Sequence, residues 1–350
     1  MCFITISWFP SLAKKKIIAF SEAQQATWAY LELTTACNLD CGWCFSAQKL
    51  NSSKKMSEDE LSHVLSLLVN SGIKQITFGG GEPLLYPNLV DWVSWLTQRG
   101  IIVNINSNGF FLTQELANRF AKAGLNQFQT NIESIDEKKH DQIRGGKGAH
   151  QHALQAINFA LKAGINVVSQ VVVTKENMDN IPDILKFSKQ LGVHRSRLWD
   201  MTPSGNALEN GELLPNNYPQ LLYQVAELAV ALGALEIQSY EPLFPSVKTL
   251  PIPITHVPCP SRKGLLINIG VNGAVNYCST FRRELYNIFD VDNGKTLSLI
   301  HRDSINSYNE TQLPLSNTCL NCNRLPICNG GCPSRMVWSN GFDYQCNYSS

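Results

Sequence analysis

What this 350-residue chain lacks narrows its function first. It has no charge bias: 29 Lys and Arg face 28 Asp and Glu, a net charge of +1. A protein held on nucleic acid or on an anionic membrane surface carries a basic patch or tail, and the longest basic run here is Lys14 to Lys16, which reads as a solvated patch. Neither partner is expected. Long hydrophobic runs are missing too, since no apolar segment reaches the roughly 18 residues that span a bilayer. The N-terminal "MCFITISWFPSLAKKK" places its lysines after its apolar part, the reverse of a secretory signal. A cytoplasmic location is therefore expected. In that reducing setting the eleven cysteines do not read as disulfides, which leaves metal or redox chemistry as their use.

What is present is organised. With 44% hydrophobic residues the chain buries a full core and suits one large domain plus a smaller one. Five helical patterns end in a glycine that leads into a β-rich run, at Gly72, Gly100, Gly124, Gly164 and Gly192. Glycine is the natural residue just past a helix end, so these are helices feeding strands. Ser57 followed by Glu60 reads as a capping box, with Leu61, Val64, Leu65 and Leu68 at helical spacing behind it. Asn180 before Pro182 reads as another helix start. With "WAYLELT" as the first strand the count is six parallel strands. Runs such as "VVSQVVV" are apolar on both faces, as strands covered by helices are. Six units fall short of the eight that close a barrel, so the expected fold is an α/β partial (β/α)6 barrel.

Composition shifts afterwards. A last amphipathic helix, "PQLLYQVAELAVALGA", precedes a stretch from Pro242 to Pro260 holding six of the sixteen prolines, which reads as an extended linker. Beyond it, "LLINIGVNGAVNYC" carries the Asn-Gly signature of a tight hairpin at Asn272 and Gly273. The remainder shows little helical period, and residues 259–350 hold seven cysteines, as expected of a small domain pinned by metal. The expected division is an extension over 1–27, the barrel over 28–212, a helix and linker over 213–258, and a cysteine-rich domain over 259–350.

The densest signal is "CNLDCGWC" at residues 37 to 44. Four thiols fill a metal site, and three leave one coordination position open. Cys37, Cys41 and Cys44 directly follow the first strand, at the mouth where barrel enzymes place their chemistry. A zinc or structural thiol site is the alternative. The CX3CX2C spacing, with Trp43 before the last cysteine, resembles the radical S-adenosylmethionine superfamily. That resemblance implies that the three thiols hold a 4Fe-4S cluster whose fourth iron is chelated by S-adenosylmethionine. Other strand ends match the same family. "FGGGEP" resembles its glycine-rich element, which implies cofactor contacts from Gly79, Gly80, Gly81 and Glu82. Ser107, Asn108 and Gly109 resemble its Thr-Asn-Gly stretch, and Trp43 belongs to the same set. Asn131 and Glu133, in "NIESIDEKKHDQIRG", stand where the family has serine and aspartate and still offer hydrogen bonds to a ribose. Gln170 and Asn177 are weaker candidates, and His140, Asp141 and Arg144 read rather as a structural polar lock.

The C-terminal cysteines resemble the SPASM extension of radical enzymes that modify peptides. By that resemblance Cys319, Cys322, Cys328 and Cys346 hold one auxiliary 4Fe-4S cluster, and Cys259, Cys278 and Cys332 hold another, one ligand short. Three 4Fe-4S clusters and S-adenosylmethionine are thus the implied cofactors, leaving Cys2 unliganded. Ser279 follows Cys278 where sulfatase-maturating relatives have an aspartate base, which argues against that activity. The implied activity is maturation of a ribosomally made precursor peptide by thioether or carbon-carbon cross-linking, or by splicease-type excision. About 27 residues precede the first strand, too few for a leader-binding domain, so a separate recognition protein is expected, with a flavodoxin- or ferredoxin-type electron donor. A radical enzyme acting on a tetrapyrrole, an iron-sulfur electron carrier and a zinc-dependent nucleic-acid binder are the competing readings.

Overall fold

The computed structural model describes residues 24–46, 54–211, 215, 218–232, 235–239, 254–256, 259–311, 315–323, 325–328, 330–339, 343–344 and 346. Cys2, Lys14 to Lys16, the extension up to residue 23 and most of the proline-rich stretch lie outside them.

All five helix-ending glycines adopt the left-handed conformation, with φ between 75° and 90°, and each hands the chain to a strand. The six expected strands are β1 (Trp28–Glu32), β2 (Gln75–Gly79), β3 (Ile102–Asn106), β4 (Gln127–Asn131), β5 (Asn166–Val173) and β6 (Arg195–Asp200). They pair in sequence order, all parallel. Between them run α1 (Glu58–Asn70), α2 (Leu89–Thr97), α3 (Gln114–Lys122), α4 (Glu137–Arg144), α5 (Ala149–Lys162) and α6 (Ile181–Gln190). The capping box of α1 is formed in both directions, the Glu60 N–H donating to Ser57 Oγ and the Ser57 N–H to the Glu60 carboxylate. Leu61, Val64, Leu65 and Leu68 of α1 are all buried, each contributing about 1.5–3 kcal/mol of burial. Asn180 does precede α6, yet its side chain makes no cap bond; Pro182 in the first turn marks the start.

The repeat does not stop at six. After the short α7 (Asn206–Glu209), α8 (Tyr218–Leu232) leads into β7 (Glu236–Ser239), parallel to β6, and β8 (Ile254–His256) follows, parallel to β7. Both strands fall where a helix and linker were expected. β7 is four residues long, and β8 is a three-residue strand at the sheet edge, where flanking prolines are tolerated, so neither leaves a pattern.

The C-terminal hairpin joins the same sheet on its other side. β9 (Leu266–Ile269) lies parallel to β1, and β10 (Ala274–Asn276) and β11 (Glu284–Asn287) continue antiparallel. The sheet order is β11-β10-β9-β1-β2-β3-β4-β5-β6-β7-β8. Beyond it lie α9 (Gly294–Thr311), α10 (Asn317–Leu320), α11 (Leu325–Cys328) and α12 (Pro333–Trp338). α9 corrects the expectation of little helical order there. Its buried stripe is Leu297, His301, Ile305 and Asn309, a spacing of four, and two polar members hide the period from a hydrophobic count.

Candidate functional site

Cys37, Cys41 and Cys44 occupy the loop leaving β1, in one packed patch with Leu39, Trp43, Phe110 and Ala149. The glycine-rich loop after β2 is built against the approach to that patch. Gly81 N–H donates to Thr34 O at 2.7 Å and Glu82 N–H to Ala36 O at 2.8 Å. A Cβ on Gly81 would stand 2.1 Å from Ala36 O, and one on Gly80, at φ 120°, 2.6 Å from Thr34 O. Only glycine permits this backbone-on-backbone contact. Gly79 serves a neighbour instead: its missing Cβ makes room for the Tyr30 hydroxyl.

Glu82 is fully buried, and its carboxylate accepts three donors: Ser107 Oγ at 2.7 Å, the Asn108 N–H at 2.8 Å and the Leu84 N–H at 2.9 Å. Burial pushes its carboxyl pKa up, and these bonds pull it back. With both oxygens engaged inside the protein, Glu82 ties the loop after β2 to the loop after β3. Asn108 carries the tie onward, donating to Asn38 Oδ1 at 2.8 Å beside Cys37. Three strand ends are thereby fixed around the thiols.

The fourth and fifth strand ends meet at Glu133. Its carboxylate accepts from Asn131 Nδ2 at 2.8 Å and from the Val172 N–H at 3.0 Å, and lies 3.7 Å from Arg144 Nη1. Burial raises the Glu133 carboxyl to about 7. His140 accepts the Glu133 N–H on Nδ1 and is held neutral by burial, while Asp141 caps α5 through the Gly148 and His150 N–H groups. Asn177 is a staple, spanning Thr174, Val172 and Glu133 backbone atoms. The polar-lock reading thus describes His140 and Asp141. Arg144 does more: its guanidinium lies over the Trp43 ring, 5.1 Å from the centroid, and its positive charge opposes the upward push of burial on the Cys37 and Cys41 thiols.

A cavity of about 490 Å³ opens inside the strands. Gln170 and Trp43 line it, as do Tyr30, Arg197, Asp200 and, from the C-terminal region, Asn268, Ser279 and Thr280. Most of these escaped the sequence reading. Its signal was the alternation in "WAYLE", where Trp28, Tyr30 and Glu32 share one face of a strand otherwise apolar. Asp200, at the end of β6, pairs with Arg335 of α12, which Asp343 grips at 2.7 and 2.8 Å. That buried set joins the barrel wall to the cysteine-rich tail. A second tie runs from Glu32 to Arg282, which also donates to Ser46 Oγ at 2.7 Å, two residues past Cys44.

Every described cysteine is a free thiol. Among the described residues no three His, Cys, Asp or Glu side chains are arranged to hold a single metal ion. The tail thiols fall into neighbourhoods: Cys259 feels the charge of Cys278, and Cys328 that of Cys319 and Cys322. Cys332 stands beside Arg335 and Asp343, and the Cys346 N–H donates to Asp343 O at 2.8 Å.

The N-terminal patch suits a thiolate-bound cluster. Burial raises the Cys41 thiol to about 12, so an unliganded thiolate is disfavoured there. A bound cationic metal centre reverses that preference, and the buried Arg144 Nη1, which makes no hydrogen bond, supplies further positive charge at the same patch.

Residues 31–188 match the Radical SAM superfamily. The chain is 30% identical to PqqA peptide cyclase of Bradyrhizobium diazoefficiens, over 55% of this chain and 50% of that protein. It is 28% identical to AdoMet-dependent heme synthase of Methanosarcina barkeri, over 56% and 57% respectively. The chain thus spans about half the length of the curated relatives it matches. Among solved structures it resembles Streptococcus suis SuiB bound to S-adenosylmethionine, with TM-score 0.73, 16% identity, and coverage of 92% of this chain and 77% of that one. It also resembles anSMEcpe with bound AdoMet and the Cp18Cys peptide, with TM-score 0.63, 15% identity, and coverage of 92% and 94%. At these identities the structural likeness establishes the fold.

Proposed function

We infer that this chain, whose residues 31–188 match the Radical SAM superfamily, is a peptide maturase that abstracts a hydrogen atom from a ribosomally made precursor peptide. The observation that carries the reading is the three-thiol loop at the end of β1, braced by two neighbouring strand ends and adjoining a cavity large enough for a small-molecule ligand and a side chain. When bound, a reduced 4Fe-4S cluster and S-adenosylmethionine together supply a 5′-deoxyadenosyl radical. Cys37, Cys41 and Cys44 would hold that cluster. Backbone of Gly79, Gly80 and Gly81, with Ser107, Asn108, Asn131, Glu133 and Gln170, would surround the cofactor. The tail would hold two auxiliary clusters on the cysteine sets given above. The chain's own task is to fix one substrate C–H bond against the radical and to exclude water.

Peptide is favoured as substrate because eight of the cavity-lining side chains are carboxamides, which pair well with peptide groups, and only four of them, Asn104, Asn126, Gln170 and Gln238, enter the side-chain bonds of the cavity wall. The heme synthase relative favours a second reading, a tetrapyrrole. A tetrapyrrole carries several carboxylates, and among the cavity-lining arginines Arg195 is already paired with Glu236 at 2.6 Å. The product would be a thioether or carbon-carbon cross-link, or an excised backbone fragment. A separate recognition protein and a flavodoxin- or ferredoxin-type donor complete the proposed system.

Anaerobic reconstitution tests the proposal. Three clusters of the four-iron type give roughly twelve irons per chain. Dithionite and S-adenosylmethionine should then yield 5′-deoxyadenosine, stimulated by a precursor peptide and not by porphyrins. Bound zinc without sulfide would defeat it.

A further inference from the structure

The three-thiol loop is held from two sides. Over its body the grip comes from α7 and the residue that ends it: the Asn206 N–H donates to Cys44 O at 2.9 Å, Asn206 Nδ2 to Cys41 O at 3.0 Å and Asn210 Nδ2 to Gly42 O at 3.0 Å. At its exit the grip comes from the cysteine-rich tail. Arg282 Nη2 donates to Ser46 Oγ at 2.7 Å and to Glu32 Oε1, and Ser46 Oγ donates to the same Glu32 oxygen at 3.2 Å. The three side chains close a ring in which the hydroxyl both accepts and donates, so its direction is fixed. The Arg282 guanidinium also lies over the Phe45 ring, 5.7 Å from the centroid. Phe45 lines the cavity, and so do Ser279 and Thr280 from the loop that carries Arg282.

Stability alone does not account for this ring. Glu32 is buried, and burial pushes its carboxyl pKa up, with Arg282 the main influence opposing it. Desolvation of such a carboxylate offsets most of what pairing returns, so an apolar contact would hold the junction equally well. An apolar contact would not, however, set the orientation of Ser46 and of the Phe45 ring beside it.

We propose that Arg282 is a positioning residue for the radical site: from the hairpin loop that carries Cys278 it fixes the exit of the three-thiol loop at Phe45 and Ser46, and with it the cavity wall beside the thiols. This rests on the reading of Cys37, Cys41 and Cys44 as a cluster site that S-adenosylmethionine joins. The tail then does more than carry its own thiols, because it sets the shape of the cavity next to the first three. Cys41 and Cys44 keep their grip from Asn206, so loss of Arg282 leaves the thiols in place and disturbs what adjoins them.

The test uses reconstituted holoenzyme and three variants. Arg282→Met keeps the reach of the side chain and removes its donors. Arg282→Lys can make from one ammonium both bonds that Nη2 makes, so it is the rescue. Ser46→Ala opens the ring and leaves both charges alone, which keeps the test decisive if the methionine variant does not fold. The readout is the change that S-adenosylmethionine causes in the EPR spectrum of the reduced N-terminal cluster, titrated to an affinity, beside the iron content of the same sample. Arg282→Met and Ser46→Ala should keep wild-type iron and bind S-adenosylmethionine about tenfold more weakly, the size expected of groups that orient a metal site from behind its ligands, while Arg282→Lys stays close to wild type. Wild-type affinity in Arg282→Met, or in Ser46→Ala should the methionine variant not fold, overturns the proposal, as does a loss of iron in step with the loss of affinity.

A second readout needs no cluster. In the full chain without metal, chymotryptic cleavage after Phe45 should run severalfold faster in Arg282→Met than in the wild type, because proteolysis follows the population of the opened segment. If the wild-type cluster does not respond to S-adenosylmethionine at all, the cluster reading fails, while the cleavage comparison still decides the role of Arg282: equal rates dispose of it.

Discussion

Glu82→Gln is the sharpest single probe of how the site is assembled. The carboxylate serves the Leu84 N–H and Ser107 hydroxyl on one oxygen and the Asn108 N–H on the other. Glutamine keeps one oxygen, and its least costly orientation leaves Nε2 facing the Asn108 N–H, donor against donor. The loss of one hydrogen bond to a charged acceptor is worth about 1.5–3 kcal/mol, and the stranded buried N–H about 1–3 kcal/mol more. Removing a charge from a fully buried position, where burial raises the carboxyl pKa, offsets part of this. A net destabilisation of about 2–4 kcal/mol is expected, read by anaerobic urea unfolding followed through tryptophan fluorescence. Ser107→Ala combined with Glu82→Gln should cost less than the sum of the two singles, because they share one bond. A change under about 0.5 kcal/mol for Glu82→Gln would show that the brace between the two loops is not structural, and the reasoning would fail.

Other expectations are separable. Gly81→Ala forces a methyl group against Ala36 O and should lower iron retention of the reconstituted protein severalfold, measured by iron assay after gel filtration, while Gly211→Ala leaves it unchanged because nothing lies near that Cβ and its φ is not positive. Glu133 binds its proton more tightly folded, at about 7, than unfolded, near 4.5. Stability should fall as pH rises through that window, by up to about 3 kcal/mol, and the slope should vanish in Glu133→Gln; a wild type that gains stability across the same interval would contradict this. Cys37→Ala should abolish 5′-deoxyadenosine formation, whereas Cys346→Ala should preserve some cofactor cleavage and impair product formation or folding. Retained cleavage in Cys37→Ala would mean that the triad is misassigned.

Legibility followed the strength of local signals. Glycines that end helices and feed strands announced five of the parallel strands, β2 to β6, because positive φ is a demand few residues meet. The capping box at Ser57 and Glu60 was equally local. β7 and β8 were hidden because a three- or four-residue strand shows no periodicity, and prolines around β8 disguised an edge strand as a linker. In α9 the buried His301 and Asn309 broke a hydrophobic count that the geometry nonetheless satisfies. At the site, the cysteine spacing was readable as chemistry, while Glu82 and Ser107 were readable only as candidates. Their actual bond is between side chains 25 residues apart, and the Asp200–Arg335 pair spans 135. Such partners are chosen by topology, which no short window contains.

The pairing of β1 with β9 has a consequence for biosynthesis. The strand that delivers the three thiols acquires one of its two neighbours only when a segment 238 residues downstream has been made. Until then a row of backbone amides and carbonyls beside the cysteine loop is unsatisfied and free to recruit another chain. A nascent or truncated polypeptide ending before Leu266 should accordingly clump through that open flank, and iron delivered to it too early would meet a half-built pocket.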